Sequence, residues 1–226
     1  MAPGSKDVAR RSVSQWLSGG ARAIVRINGA DTPWHTADLE MVKQHDRAVV
    51  MVPKADRASL ANTAAHLPGR SMIALVESVA GYSELHDVVR APGVKRIAFG
   101  SVDFSAESGI ADEGEGLTSV RTAIVLASVL AGLQEAIDGV SLELRDAGKI
   151  AEAAQRSRRL GFGGKLCIHP AQVGAVNAAF APSESERQWA QRVLVAFEAS
   201  GGAATTLDGK MIDKPVVERA RRIAAT

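Results

Sequence analysis

The chain has 226 residues, 46% of them hydrophobic and 23% charged, the makeup of a globular protein able to bury one substantial core. Its 27 Lys and Arg stand against 25 Asp and Glu, a formal charge of +2, which excludes the strongly basic surface of a nucleic-acid binder. The first residues are polar and give no signal peptide, and the longest apolar run, "AIVLASVLAG" at 123–132, is too short to cross a bilayer and reads as a buried helix.

In chain order, a helical segment, "SKDVARRSVSQWL", comes first. A strand, "ARAIVRIN" (21–28), follows, with Arg26 inside it. An unpaired guanidinium would be costly there, so Arg26 either pairs with a buried carboxylate or awaits an anionic ligand. Thr36 is expected to cap "ADLEMVKQ". Strand 47–53 leads to Lys54, and Asp56 caps a helix stopped by Pro68 and Gly69.

Strands 71–77 and 95–101 come next, then a long acidic loop, 101–116. It carries Asp103 together with Glu107, Asp112, Glu113 and Glu115, the last four read as solvated charge. Strand 135–142 precedes a helix capped by Asp146 and ended by Gly161. "GFGGK" (161–165) lacks the spacing of a phosphate loop and is read as that helix's C-cap. Strand 165–170 ends at His169 and holds the single cysteine, Cys167. One cysteine excludes an internal disulfide and fits a reducing cytoplasm, and its apolar setting suggests an inert core thiol. Ser183 with Glu186 forms a capping box for a helix ended by Gly201 and Gly202. A loop-rich arm (200–213) leads to a last helix near Pro215. The arginine clusters (156, 158, 159 and 219, 221, 222) fall late in their helices, where they favour the negative helix end.

Alternating strand and helix predicts a parallel α/β sheet, either a barrel or a doubly wound sheet. Six strands fall short of the eight, in about 250 residues, of a closed barrel. In both architectures ligands bind at the carboxyl ends of strands, which directs attention to Arg26, Asn28, Lys54, Glu77, Asp103 and His169. Ile73, Leu75 and Glu77 share one face, and Ile97, Phe99 and Asp103 are expected to share the same face of the next strand. Neighbouring strands lie roughly 4.8 Å apart, so both carboxylates can reach one point. A cation between them would relieve their repulsion, and two oxygen donors suit Mg²⁺, which keeps waters and accepts substrate oxygens. The alternatives are a capping or surface carboxylate for Glu77 and a loop N-cap for Asp103.

Six segments taken together, "VRINGADTPWHTADLE", "VVMVPKAD", "IALVESVAGYSELHDVVRAPGVKRIAFGSVDF", "AIDGVSLELRD", "RRLGFGGKLCIHPAQVGAVNAAFAPS" and "LDGKMIDKPVVERARRI", resemble the citrate lyase β-subunit-like branch of the HpcH/HpaI aldolase superfamily. The resemblance implies a TIM (β/α) barrel of the phosphoenolpyruvate/pyruvate type. Residues 1–199 would form the barrel domain, and residues 200–226 an arm and helix packing on a neighbouring protomer of a homo-oligomer, usually a trimer. It implies Mg²⁺ (or Mn²⁺) held by Glu77 and Asp103, and Arg26 on the substrate and the developing enolate. Asn28 and His169 would line the substrate site, and Asp213 would act as acid/base in a neighbouring protomer. The activity implied is cleavage of a malyl-, citramalyl- or citryl-type CoA thioester to acetyl-CoA and a keto acid. Members of that branch begin with two further strands, and "MAPGSKDVARRS" aligns after them, which accounts for the count of six. A non-catalytic or truncated homologue that binds metal and a CoA ligand, or serves as an assembly subunit, is the alternative.

Overall fold

The computed structural model describes residues 2–112 and 114–225, so Glu113, expected as a solvated loop charge, lies outside the described residues. By its contacts the chain divides into two compact units, residues 1–176 and 177–226.

The first unit is built on six parallel strands: β1 (Ile24–Arg26), β2 (Val49–Val52), β3 (Met72–Val76), β4 (Val94–Phe99), β5 (Ile137–Asp138) and β6 (Gly164–Lys165). They pair in sequential order from β1 to β6, so the doubly wound alternative is excluded, because its strand order must reverse. Both faces are apolar, as a covered parallel sheet requires. Met51, Ile73, Leu75 and Ala98 pack with Val49, Ile137 and Leu166 on one face. Val50, Val52, Ala74, Val76, Ile97 and Phe99 are buried on the other.

That division corrects the expected register. Leu75 pairs with Ala98 and Val76 with Phe99, after an irregularity between Met72 and Ile73. Ile97 and Phe99 therefore face away from Glu77. Phe99 packs edge-on to Phe104, ring centroids 5.5 Å apart.

All six expected strands exist, but each is shorter than its apolar run. In β5 the Asp138 carboxylate accepts from the Gly139 N–H at 2.8 Å, which ends the ladder. After β6 the Gln172 side chain accepts from the amides of Ile168 and His169, at 2.8 and 3.2 Å. The chain turns there instead of pairing onward.

The helices are α1 (Lys6–Ser18), α2 (His35–Lys43), α3 (Arg57–His66), α4 (Val79–Ser83), α5 (Leu85–Val88), α6 (Ser101–Ser108), α7 (Thr118–Leu130), α8 (Ala147–Arg159), α9 (Val173–Phe180), α10 (Glu184–Ala199) and α11 (Lys214–Ala224). Asp56, Asp146, Ser183 and Asp213 each cap as a short oxygen acceptor should. Thr36 does not: α2 begins one residue earlier with no side-chain cap, and the His35 ring instead contacts the Asn28 carbonyl at 2.8 Å. The first half of the acidic segment expected as loop, Ser101–Ser108, forms α6, closed by Gly109 in the left-handed region. Helix α7 is buried along one side only, with Leu126, Val129 and Leu130 exposed. Among the described residues no helix is long and apolar enough to cross a membrane.

In the second unit α10 packs with α11 and an antiparallel hairpin, β7 (Thr205–Leu207) and β8 (Lys210–Ile212), around Ala190, Val193, Ile212, Val217 and Ala220. The hairpin, expected as loop, turns through Asp208 and Gly209 with φ of 51° and 73°, the left-handed pair that suits strand twist.

Beneath the ends of β5 and β6 lies a buried charge network. Arg121 donates to Asp138 at 2.8 Å, Ser157 donates to the same carboxylate at 2.5 Å, and Lys165 stands 3.5 Å from it. Asp112 pairs with Arg121 at 2.6 Å, so it is not the solvated charge expected. Burial alone would raise the Asp138 pKa, but Lys165, Arg121 and Ser157 together hold it below its ordinary value. Asp138 thus contributes stability that is present above the unfolded carboxylate pKa and is lost as pH falls through the folded one. Replacing Asp138 with Ala leaves Lys165 buried without its carboxylate and Arg121 with Asp112 alone, and should lower unfolding free energy by about 3–5 kcal/mol in urea titrations monitored by circular dichroism.

Candidate active site

At the carboxyl ends of β1 to β4, a cavity of about 850 Å³ opens, lined by α1, the strand ends and α6. Arg26, Asn28, Lys54, Glu77 and Asp103 all border it. Five of the residues singled out by strand-end position therefore meet in one place. His169 is not among the lining residues: its ring caps the turn at Pro170–Gln172, accepting from the Ala171 amide at 3.1 Å. Asp213 belongs to the second unit, where it caps α11. Cys167 is half-buried rather than a core thiol, and burial pushes it up, away from the reactive thiolate.

Glu77 follows β3 directly and is only 7% exposed. Its Oε1 accepts from the backbone N–H of Lys54 at 2.9 Å. On its other side lies Gly100, the N-cap of α6. A Cβ on Gly100 would stand 2.3 Å from the Glu77 Cβ and 2.9 Å from its Oε2, so only glycine admits the carboxylate so close to the helix start. Asp103 occupies the first turn of α6 and is exposed to the cavity. It reaches the site because a helix begins immediately after β4, not because it shares a strand face with Glu77.

Burial first, and then the negative charge of Asp103, raise the Glu77 pKa, against the opposing pull of the Lys54 amide, Arg26 and the Lys54 ammonium. Neither carboxylate forms an ion pair with a side chain among the described residues. The two are therefore neighbouring carboxylates with no ion-paired side chain, one of them buried.

Arg26 is exposed at the end of β1, which corrects the expectation of a buried guanidinium. No hydrogen bond or ion pair joins it to another described residue, and its charge acts on Glu77 across the cavity. It is thus available to an anionic ligand.

Three lining residues gave no signal in the sequence. Asp38, in α2, accepts from both the backbone and the side-chain amide of Asn28, the backbone bond measuring 2.9 Å. It also accepts from Arg10 Nε at 2.8 Å. Lys6 donates to the Asn28 side-chain oxygen Oδ1 and lies 5.2 Å from the Trp34 ring. Asn28 is thereby held by two charged side chains, Asp38 and Lys6, and one nitrogen of Arg10, Nη2, is buried without a hydrogen-bond partner.

Among the described residues no cluster of three or more His, Cys, Asp or Glu side chains could hold a metal. A pair of carboxylates without a third protein ligand fits a hard divalent cation that fills its shell with water and ligand oxygens. It does not fit zinc or another metal that demands a closed nitrogen or sulfur set.

Comparison with known proteins places these features in context. The HpcH/HpaI aldolase/citrate lyase family matches residues 1–170. A citrate lyase subunit beta-like protein of Mycobacterium tuberculosis is 31% identical over 97% of this chain and 81% of its own length. A (3S)-malyl-CoA thioesterase of Cereibacter sphaeroides is 31% identical over 89% of this chain and 73% of its own. The crystal structure of CitE from Mycobacterium tuberculosis with magnesium, acetoacetate and coenzyme A superimposes with a TM-score of 0.84 at 30% identity, covering 100% of this chain and 86% of that one. The six-stranded sequential parallel sheet agrees with that match, and the chain belongs to the HpcH/HpaI aldolase/citrate lyase family.

Proposed function

We propose that this chain is a Mg²⁺-dependent carbon–carbon lyase acting on a hydroxyacyl-CoA thioester of the malyl, citramalyl or citryl type, releasing acetyl-CoA and a keto acid. The observation that carries the reading is the pairing of Glu77 with Asp103 at neighbouring strand ends, facing one cavity and Arg26, with no cationic side chain bound to either carboxylate. Relatives at about this identity include a malyl-CoA thioesterase and the beta subunit of Escherichia coli citrate lyase. A CitE structure holds magnesium with coenzyme A. In this reading the sheet supplies six staves of a (β/α) barrel whose first two strands are not part of it. Residues 200–226 would serve as an arm and helix that pack on another protomer, within a trimer or other homo-oligomer of a cytoplasmic enzyme.

Glu77 and Asp103 are the residues that would hold Mg²⁺ (or Mn²⁺), each through a carboxylate oxygen. A bound divalent cation supplies Lewis-acid polarisation of the carboxylate and hydroxyl or keto oxygens of the substrate's acid portion. Loss of the hydroxyl proton lets the carbon–carbon bond break, and its electron pair becomes the enolate of the acetyl thioester. Arg26, carried at the end of β1, would donate to the thioester oxygen, where that charge appears. Asn28, clamped by Asp38 and Lys6, orients the acid portion. Asp213 of a second protomer would take the hydroxyl proton as the bond breaks and return it to the enolate carbon, which completes acetyl-CoA.

Mixing the protein with MgCl₂ and each thioester, with acetyl-CoA release as the readout, tests this reading. Arg26→Ala should lower kcat by about 10²–10³-fold. Glu77→Gln keeps an acceptor for the Lys54 amide but removes the charge, and should abolish both cleavage and magnesium binding. Full cleavage by Glu77→Gln contradicts the proposal.

The raised Glu77 pKa gives a second test. Without cation the folded state holds this proton more tightly than the unfolded chain does. Glu77's contribution to stability is therefore complete below the unfolded carboxylate pKa and declines as pH rises through the raised folded one. Saturating Mg²⁺ binds the ionised form and should remove that decline. Melting temperatures across that pH range, with and without Mg²⁺, should diverge as pH rises; parallel curves would argue against the site.

A further inference from the structure

Lys54 is one of two described residues other than glycine in the left-handed region, with φ 45°. The other is the hairpin residue Asp208. No hairpin explains Lys54, which follows β2 at the mouth of the cavity. The conformation is one L-residues seldom adopt, and it persists where the surroundings dictate it. Here it aims the Lys54 N–H at Glu77 Oε1, 2.9 Å away. The consequence is that a flexible ammonium is anchored beside the very carboxylate that needs a cation.

The side chain, however, does not pair with that carboxylate. Its Nζ lies 2.9 Å from Asp31 Oδ2. Electrostatically it remains within range of both Glu77 and Asp103. Asp31 reaches this position by lying against Gly29, where a Cβ would stand 2.5 Å from Asp31 Oδ1. Both side chains of the ion pair are largely exposed, so the pair is weak and exchangeable.

We propose that the Asp31–Lys54 ion pair regulates cation loading: Asp31 holds the Lys54 ammonium away from Glu77 and Asp103 and so leaves the two carboxylates open to a divalent cation. The inference rests on the cation reading given above. Without Asp31 the ammonium, tethered through its own backbone to Glu77, becomes an internal competitor for the same oxygens. Lys54 is a positioning residue through its amide and a potential inhibitor through its side chain, and Asp31 separates the two roles.

Calorimetric titration of the metal-free protein with MgCl₂ tests this without reference to turnover. Asp31→Asn should weaken Mg²⁺ binding about three- to fivefold, the range an exposed pair can supply. Lys54→Met retains the amide and loses the charge, and should bind at least as tightly as the unaltered protein. The double variant Asp31→Asn/Lys54→Met should recover that affinity. Circular dichroism melts of each variant confirm that they fold. If Asp31→Asn binds as tightly as the parent, or if the double variant stays as weak as Asp31→Asn alone, the restraint is wrong while the cation site stands. If the unaltered protein binds no Mg²⁺ at all, the cation site itself is wrong and the restraint goes with it.

Discussion

Two carboxylates that repel one another, one of them buried, are the constraint on which the site depends. Burying Glu77 beside Asp103 is unfavourable unless a proton or a cation offsets it. The local structure nonetheless enforces the arrangement. Gly100 removes the one atom that would push Glu77 aside, and the left-handed Lys54 fixes its outer oxygen with an amide. A helix starting straight after β4 carries Asp103 to the same opening. Such strain and close approach concentrate where function requires an otherwise unfavourable geometry.

The rest of the first unit serves to keep that opening rigid. An apolar sheet with both faces covered sets the strand ends in sequence, and Asp38 ties β1 to α1 and α2 through Asn28 and Arg10. At the other side of the sheet, Arg121, Asp138, Lys165 and Ser157 tie the short strands β5 and β6 to the helices α7 and α8. Those strands have only two paired residues each, so side-chain bonds take over where the backbone ladder is too brief.

Much of this was legible in the sequence because it follows from short-range periodicity. Six apolar runs separated by capped helices specify parallel strands, and the rule that ligands meet strand carboxyl ends brought Arg26, Asn28, Lys54, Glu77 and Asp103 forward together. What escaped depends on distant partners or on register. The irregularity between Met72 and Ile73 reverses the faces of β4, so Phe99 turns away from Glu77 although simple alternation places them together. Asp38, Arg10 and Lys6 come from helices, and nothing local marks a polar helical residue as facing a cavity. His169 failed for the opposite reason: the strand it was expected to end turns away first, under the hydrogen bonds of Gln172. The exposed Leu126, Val129 and Leu130 show that an apolar run fixes a helix, but not how much of it the chain itself covers.

Manganese offers the most direct view of the central claim, since it substitutes for magnesium at oxygen sites and scatters anomalously. Crystals grown with MnCl₂ and a keto acid, measured above the manganese absorption edge, should give one anomalous peak at the cavity. It should lie about 2.0–2.3 Å from an oxygen of Glu77 and an oxygen of Asp103. A cavity that holds the keto acid but gives no such peak, or a peak bound to other residues, would contradict the account.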